Sequence, residues 1–370
     1  MSKTLSRLLC ALLALVMILG LAACGNNAPP SATPSADKQD NTPSAPAPAD
    51  EPAPEKKILR IAHLAPGFDE SQRELYQCLC LAVDEYNAAS EDIEIVYDHY
   101  AANFDTQTGI TQVEAVISKG YDGMIIFPPD STGLAPSVED AYKAGIVVVD
   151  IADMGRLDIV NLRFLNSEDT YADIRDEMLL GYVDAHPELS PMRTCVLYGL
   201  VTQTPQLPRG DRMLALAEQY PDKFEILDSQ TASWDATKAL NIMEDWITRF
   251  GADNIDYVCS SNDGMATGVI QALSAVGRAG EVLVSGVDLT DEALELIKNG
   301  KMYCTIGVDW YDYAKDLLAI TVEAILDPET YNNYDYNNPN LLCITPDNVE
   351  EYLAKKADWK EKTAAYSING

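Results

Sequence analysis

The chain has 370 residues, 58 acidic and 26 basic, and its formal charge of −32 is spread along its length rather than gathered in a tail. A field of that sign repels phosphate backbones, which argues against nucleic acid as a partner. There are three histidines and no Gly-x-Ser-x-Gly, His-Glu-x-x-His or phosphate-binding glycine loop, so pairs of Asp are the only candidate catalysts and no enzyme is expected.

The chain opens with Lys3 and Arg7, continues through the apolar run Leu8 to Leu21, and reaches Leu21-Ala22-Ala23-Cys24. That run is shorter than the roughly twenty residues a helix needs to span a bilayer, so residues 1–23 read as an export signal. Leu-Ala-Ala-Cys resembles the bacterial lipoprotein signal, which implies lipidation of Cys24 and an anchor on the outer face of the cell membrane. Residues 24–57 are rich in Pro, Ala, Ser and Asp and are expected to form a disordered tether. What remains is too long for one typical hydrophobic core and suggests two domains.

Beyond the tether, β-branched runs alternate with longer amphipathic stretches, the pattern of βαβ units and parallel sheets. In chain order the spacing predicts strand Ile58–Leu64, helix Glu70–Ala88, strand Ile93–Tyr97, helix Ile110–Lys119, strand Gly123–Phe127, helix Leu134–Ala144 and strand Ile146–Ile151. It then predicts helix Asp173–Ala185, strand Thr194–Tyr198, helix Arg212–Gln219, strand Phe224–Leu227, helix Ala236–Phe250, strand Tyr257–Ser260 and helix Gly264–Val276. Strand Val282–Ser285, helix Asp291–Lys298, strand Tyr303–Gly307, helix Tyr313–Ile325, strand Leu341–Ile344 and helix Asn348–Lys355 complete the series. The cysteines beyond Cys24 read as small buried residues, and no C-x-x-C pair suggests a metal or redox site. No cofactor is expected.

Four segments, in this order and spacing, resemble the type I periplasmic binding proteins of the ribose and galactose class. They are Gly120-Tyr-Asp-Gly-Met-Ile-Ile-Phe-Pro-Pro-Asp130-Ser, Ala144-Gly-Ile-Val-Val-Val149, Ser261-Asn-Asp-Gly-Met-Ala266 and Gly286-Val-Asp-Leu-Thr290 with Ile297-Lys-Asn-Gly-Lys301. The resemblance implies two Rossmann-like α/β lobes joined by a three-segment hinge. One lobe would comprise residues 58–166 plus 309–340, and the other residues 167–308 plus 341–370.

Ligands of such sheets bind beyond the C-terminal strand ends, so the residues following each strand are the candidate site. The resemblance implies that Asn262 and Asp288 grip ligand hydroxyls, Arg209 faces the ligand and Trp234 stacks on it. The family's sugar-gripping aspartate aligns with Ala152, leaving Asp150 or Asp153 to enter the cleft. Phe68 and Asp69 in the first loop and Asp309 after the last strand of the series complete the candidates. If several of Asp69, Asp150, Asp153 and Asp309 face the cleft together, a cationic solute is expected in place of a neutral hexose. The implied function is capture of a small polar ligand, a monosaccharide first, by a monomeric lipoprotein serving an ATP-binding-cassette permease and ATPase. The alternative is a sensor lipoprotein that presents its ligand to a membrane receptor kinase.

Overall fold

Hydrophobic runs with apolar residues on both faces demand cover on both faces, and the computed structural model supplies it with two parallel-dominated sheets inside layers of helices. The structure describes residues 56–165, 168–203, 207–338 and 340–366. The leader 1–23, Cys24, nearly all of the tether, the expected boundary residue Asn166 and residues 367–370 lie outside these. Everything described belongs to one unit, Pro54–Gly370.

The first sheet is formed by β1 (Lys57–Ala65), β2 (Ile93–Ala101), β3 (Gly123–Ile126), β4 (Val147–Asp150), β5 (Leu162–Leu165) and β11 (Tyr334–Asn337). Its order is β11-β5-β4-β3-β1-β2, with every pair parallel. The second is formed by β6 (Met192–Tyr198), β7 (Phe224–Thr231), β8 (Tyr257–Ser260), β9 (Leu283–Val287), β10 (Cys304–Val308) and β12 (Leu341–Ile344). Its order is β12-β10-β9-β8-β6-β7, parallel except for β12 against β10. The chain therefore passes between sheets three times: after β5, after β10, and between β11 and β12.

The period of two decides which core each strand residue enters. Along β3 and β4, Ile125, Val147 and Val149 enter the core beneath one helical layer, while Met124, Ile126 and Val148 enter the core on the opposite face. The helices are α1 (Glu70–Ala89), α2 (Thr106–Lys119), α3 (Ser131–Lys143), α4 (Glu168–Ala185), α5 (Leu207–Gln219), α6 (Ala236–Phe250), α7 (Asp263–Ala275), α8 (Asp291–Lys298), α9 (Trp310–Leu326) and α10 (Val349–Thr363).

Several helices begin a turn earlier than their apolar periodicity suggests. The capping side chain, and not the first buried residue, sets the start: Asp105 accepts from Thr108 N before α2, Asp130 from Thr132 and Gly133 N before α3, and Asp309 from Asp312 N before α9. Two strands escape the sequence reading, β5 because Arg163 interrupts its short Leu-Arg-Phe-Leu run and β11 because its Tyr-Asp-Tyr-Asn carries no apolar run. The tether is shorter than expected, since Lys57 already opens β1 and the Lys56 ammonium donates to the carbonyls of Asn87 and Ser90. Residues 341–370 do not keep to one lobe. On α10, Val349 and Tyr352 pack in the second sheet's core, whereas Trp359 is buried in the first sheet's core.

Candidate binding cleft

The C-terminal ends of strands from both sheets converge on a cavity of about 580 Å³, within the roughly 300–1,000 Å³ usual for small-molecule sites. Of the residues expected from sequence, Asp69, Asp153, Arg209, Trp234, Asn262 and Asp288 line it together. Phe68, Asp150 and Asp309 do not.

Each exclusion has a local cause. Phe68 turns away, its ring centroid 6.1 Å from Tyr76 and 5.4 Å from His99, with the Arg73 guanidinium 5.6 Å above it. Asp150 is fully buried and folds back on its own loop, accepting from Ala152 N at 2.9 Å and Met154 N at 2.7 Å. Burial pushes its carboxyl up to about 6 against those two bonds. Asp309 caps α9 and lies 3.4 Å from Lys355 Nζ, lining a separate cavity of about 200 Å³.

The residues that do line the cleft are held by specific partners. Asp69 caps α1 through Gln72 N at 2.9 Å, and burial raises its carboxyl above the usual range. Asp153 receives Arg163 Nη1 at 3.0 Å. Arg209 lies within the first turn of α5 rather than before it; its Nη1 donates to Ser261 O at 2.8 Å and its guanidinium sits 5.2 Å from the Tyr171 ring. Buried Arg175 donates from behind to the Arg209 carbonyl. Trp234 donates from Nε1 to Gln203 Oε1 at 2.5 Å.

Asn262 and Asp263 divide two tasks at the start of α7. Asn262 itself caps α7, accepting from Met265 N at 2.9 Å while still lining the cleft. Asp263 is fully buried behind it, accepting from Thr290 N at 2.9 Å and Thr305 Oγ1 at 2.7 Å, and burial raises its carboxyl to about 7. Asp288 follows β9 with φ at +117°.

Of the four surplus acids, Asp69 and Asp153 reach the cleft and Asp150 and Asp309 do not. Asp69 is a cap and Asp153 is paired; Asp169, a cleft residue the sequence did not single out, is paired with Arg212 at 3.0 Å. The sequence also missed Phe104, which lines the cleft after β2 where Phe68 was expected, and the polar Gln72, Gln203 and Asn337. A detectable signal for Phe104 was present: Ala102-Asn-Phe-Asp105 has the same layout as Ala232-Ser-Trp-Asp235.

Among the described residues, metal-like spacing is found for Glu70, Glu74 and Asp291. Lys356 Nζ already lies 3.0 Å from Glu74 and 3.1 Å from Asp291, and Lys360 pairs with both acids, so the cluster carries its own cations. A cleft of amides, one arginine, paired acids and exposed rings is suited to hydrogen-bonding hydroxyls and covering C–H faces.

A family model described as the periplasmic binding protein domain matches residues 81–327. A xylitol-binding protein of Mycolicibacterium smegmatis is 28% identical over 273 residues, 72% of this chain and 73% of its own. A D-xylose-binding periplasmic protein of Haemophilus influenzae is 31% identical over 246 residues, 64% of this chain and 70% of its own. Among solved structures, an ABC transporter solute-binding protein of Bacillus halodurans with bound myo-inositol superposes with a TM-score of 0.69 at 25% identity, covering 81% of this chain and 98% of that one.

Proposed function

The chain belongs to the periplasmic binding protein family, and from that premise we propose that it captures a neutral sugar or polyol outside the cytoplasm for an ATP-binding-cassette importer. The family consists of solute-binding proteins, and the chain binds its ligand without transforming it. The observation that supports the neutral reading is the fate of the surplus carboxylates: Asp69 is engaged as a helix cap, Asp153 and Asp169 are paired with arginines, and Asp150 and Asp309 are turned away, which leaves Asp288 as the acid assigned to the ligand. Asp288, Asn262, Arg209 and Trp234 grip the ligand from the second lobe, and Asp69 and Asp153 border it from the first.

The lobes rotate about the three crossings between sheets, and the protein acts as a monomer. Lipidation of Cys24 tethers it to the outer face of the membrane; the Leu-Ala-Ala-Cys run supports this, and a Cys24→Ser variant recovered in the soluble fraction would test it. A thermal-shift screen of D-xylose, xylitol, D-ribose, D-allose, myo-inositol and D-glucosamine tests the ligand class. A ligand at about 100 times its dissociation constant adds roughly 2.7 kcal/mol of stability. A neutral polyol should raise the melting temperature; stabilisation by glucosamine alone would overturn the neutral reading.

A further inference from the structure

Two of the chain's three histidines, His63 on β1 and His99 on β2, are direct cross-strand partners, and Tyr97 lies two residues before His99 on the same face of the sheet. His63 Nδ1 is 3.2 Å from His99 Nδ1 and 3.0 Å from Tyr97 Oη. None of the three lines the ligand cleft. His63 is fully buried, and the rings of Tyr76 from α1 and Phe68 cover His99 with centroids 4.7 Å and 5.4 Å away.

Hydrogen bonding alone does not account for this cluster. To satisfy both neighbours, His63 Nδ1 must share one hydrogen between two acceptors if it is protonated, or one lone pair between two donors if it is not. Both Nε2 atoms are buried and have no partner among the described residues, although buried polar groups are nearly always paired. Burial holds both imidazoles below their ordinary range, His99 at about 4, so at neutral pH they are uncharged, the form that coordinates a metal.

The spacing matches a shared cation. Two nitrogens on a tetrahedral Zn2+, each at about 2.0–2.1 Å, are about 3.1–3.4 Å apart. We propose that His63 Nδ1, His99 Nδ1 and Tyr97 Oη form a binding site for a divalent late transition-metal ion of the Zn2+ class, outside the ligand cleft. Two imidazoles and a phenol oxygen favour Zn2+ or Cu2+ over Mg2+ and Ca2+, which take all-oxygen sets. A bound cation makes the Tyr97 hydroxyl far more acidic, so its proton passes to water and the oxygen ligates as phenolate. His99 is half-buried, which gives the ion a way in, and water takes the fourth position.

Equilibrium dialysis of the full chain against Zn2+, with excess Ca2+ present to occupy surface carboxylates, tests the site together with zinc-edge X-ray absorption. The expected result is one Zn2+ per chain with nitrogen and oxygen neighbours at about 2.0–2.1 Å. Since outer-shell partners alone are worth about 10–100-fold in metal affinity, loss of a direct ligand in His99→Gln should weaken binding about a hundredfold or more, and Tyr97→Phe about tenfold or more. Tyr97→Phe keeps the ring and its packing, so it decides the matter even where His99→Gln fails to fold. Sulfur neighbours at about 2.3 Å would move the ion to the cysteines and overturn the site. Undiminished affinity in either variant, uptake that excess Ca2+ abolishes, or no uptake by the wild type would overturn it equally.

Discussion

Asp288 leaves β9 at φ +117° and Trp234 leaves β7 at φ +64°, conformations that few side chains adopt, and both line the cleft. Removing a buried acceptor for a ligand hydroxyl costs about 1–3 kcal/mol, so Asp288→Ala should weaken sugar binding roughly ten- to a hundredfold at about 1.4 kcal/mol per decade. Trp234→Ala should weaken it comparably through lost stacking; titration calorimetry reads both. Asp263 gives a pH signature. Its folded-state carboxyl titrates near 7, above the ordinary value of 3.8, because burial outweighs the bonds from Thr290 and Thr305. The folded state thus binds the extra proton between those values. Stability should fall as pH rises from about 4 to about 7 and then level off, by an amount on the order of a few kcal/mol. Asp263→Asn should flatten that part of the profile, as seen by denaturation at pH 5 and pH 8; identical slopes in variant and wild type would contradict it. The strand-end rule found most of these residues, but not their division of labour. That Asn262 caps α7 while Asp263 is sealed behind it depends on which side chain can reach Thr305 across two strands, which no local pattern carries.

At the level of elements, the alternation of short β-branched runs with amphipathic stretches was enough to locate ten of the twelve strands and every α-helix among the described residues. What escaped were elements whose partners, not their composition, define them. β11 is a polar edge strand held by register with β5, and α10 extends two turns past the expected Lys355 because Lys356, Trp359 and Thr363 are buried against neighbours distant in sequence. Lys356 is 1% exposed, pairs with Glu74 of α1 and Asp291 of α8, and donates to Leu289 O beside Asp288. It therefore joins helices of both lobes to the C-terminal helix. Lys356→Met leaves buried Glu74 with Lys360 but strips it of Lys356, and should cost about 1–3 kcal/mol in chemical denaturation. Adding Glu74→Gln should recover part of that loss, because the two residues act through one network.

For the whole molecule, two sheets share one cleft and exchange the chain three times, and the proposed function implies that these crossings act as a hinge whose closed state a bridging ligand stabilises. Small-angle scattering should show a smaller radius of gyration on saturation with a bound sugar than without it; an unchanged radius with a tight ligand would argue against hinge closure. The α/β class was legible because parallel βαβ order is written in hydrophobic period, and the two-lobe arrangement followed from the family resemblance. The chemistry of the cleft was legible only in part, because whether an aspartate faces a ligand or its own loop is settled by tertiary partners, as Asp150 and Asp309 show. The central claim, capture of a neutral polyol between the two lobes, is tested most directly by calorimetric titration of the wild type and an Asp288→Ala/Trp234→Ala double variant with the strongest ligand of the neutral panel. The prediction is saturable one-to-one binding by the wild type and at least a hundredfold loss in the double variant, on the order of 3 kcal/mol; undiminished affinity in the double variant, or no binding of any neutral polyol by the wild type, would contradict it.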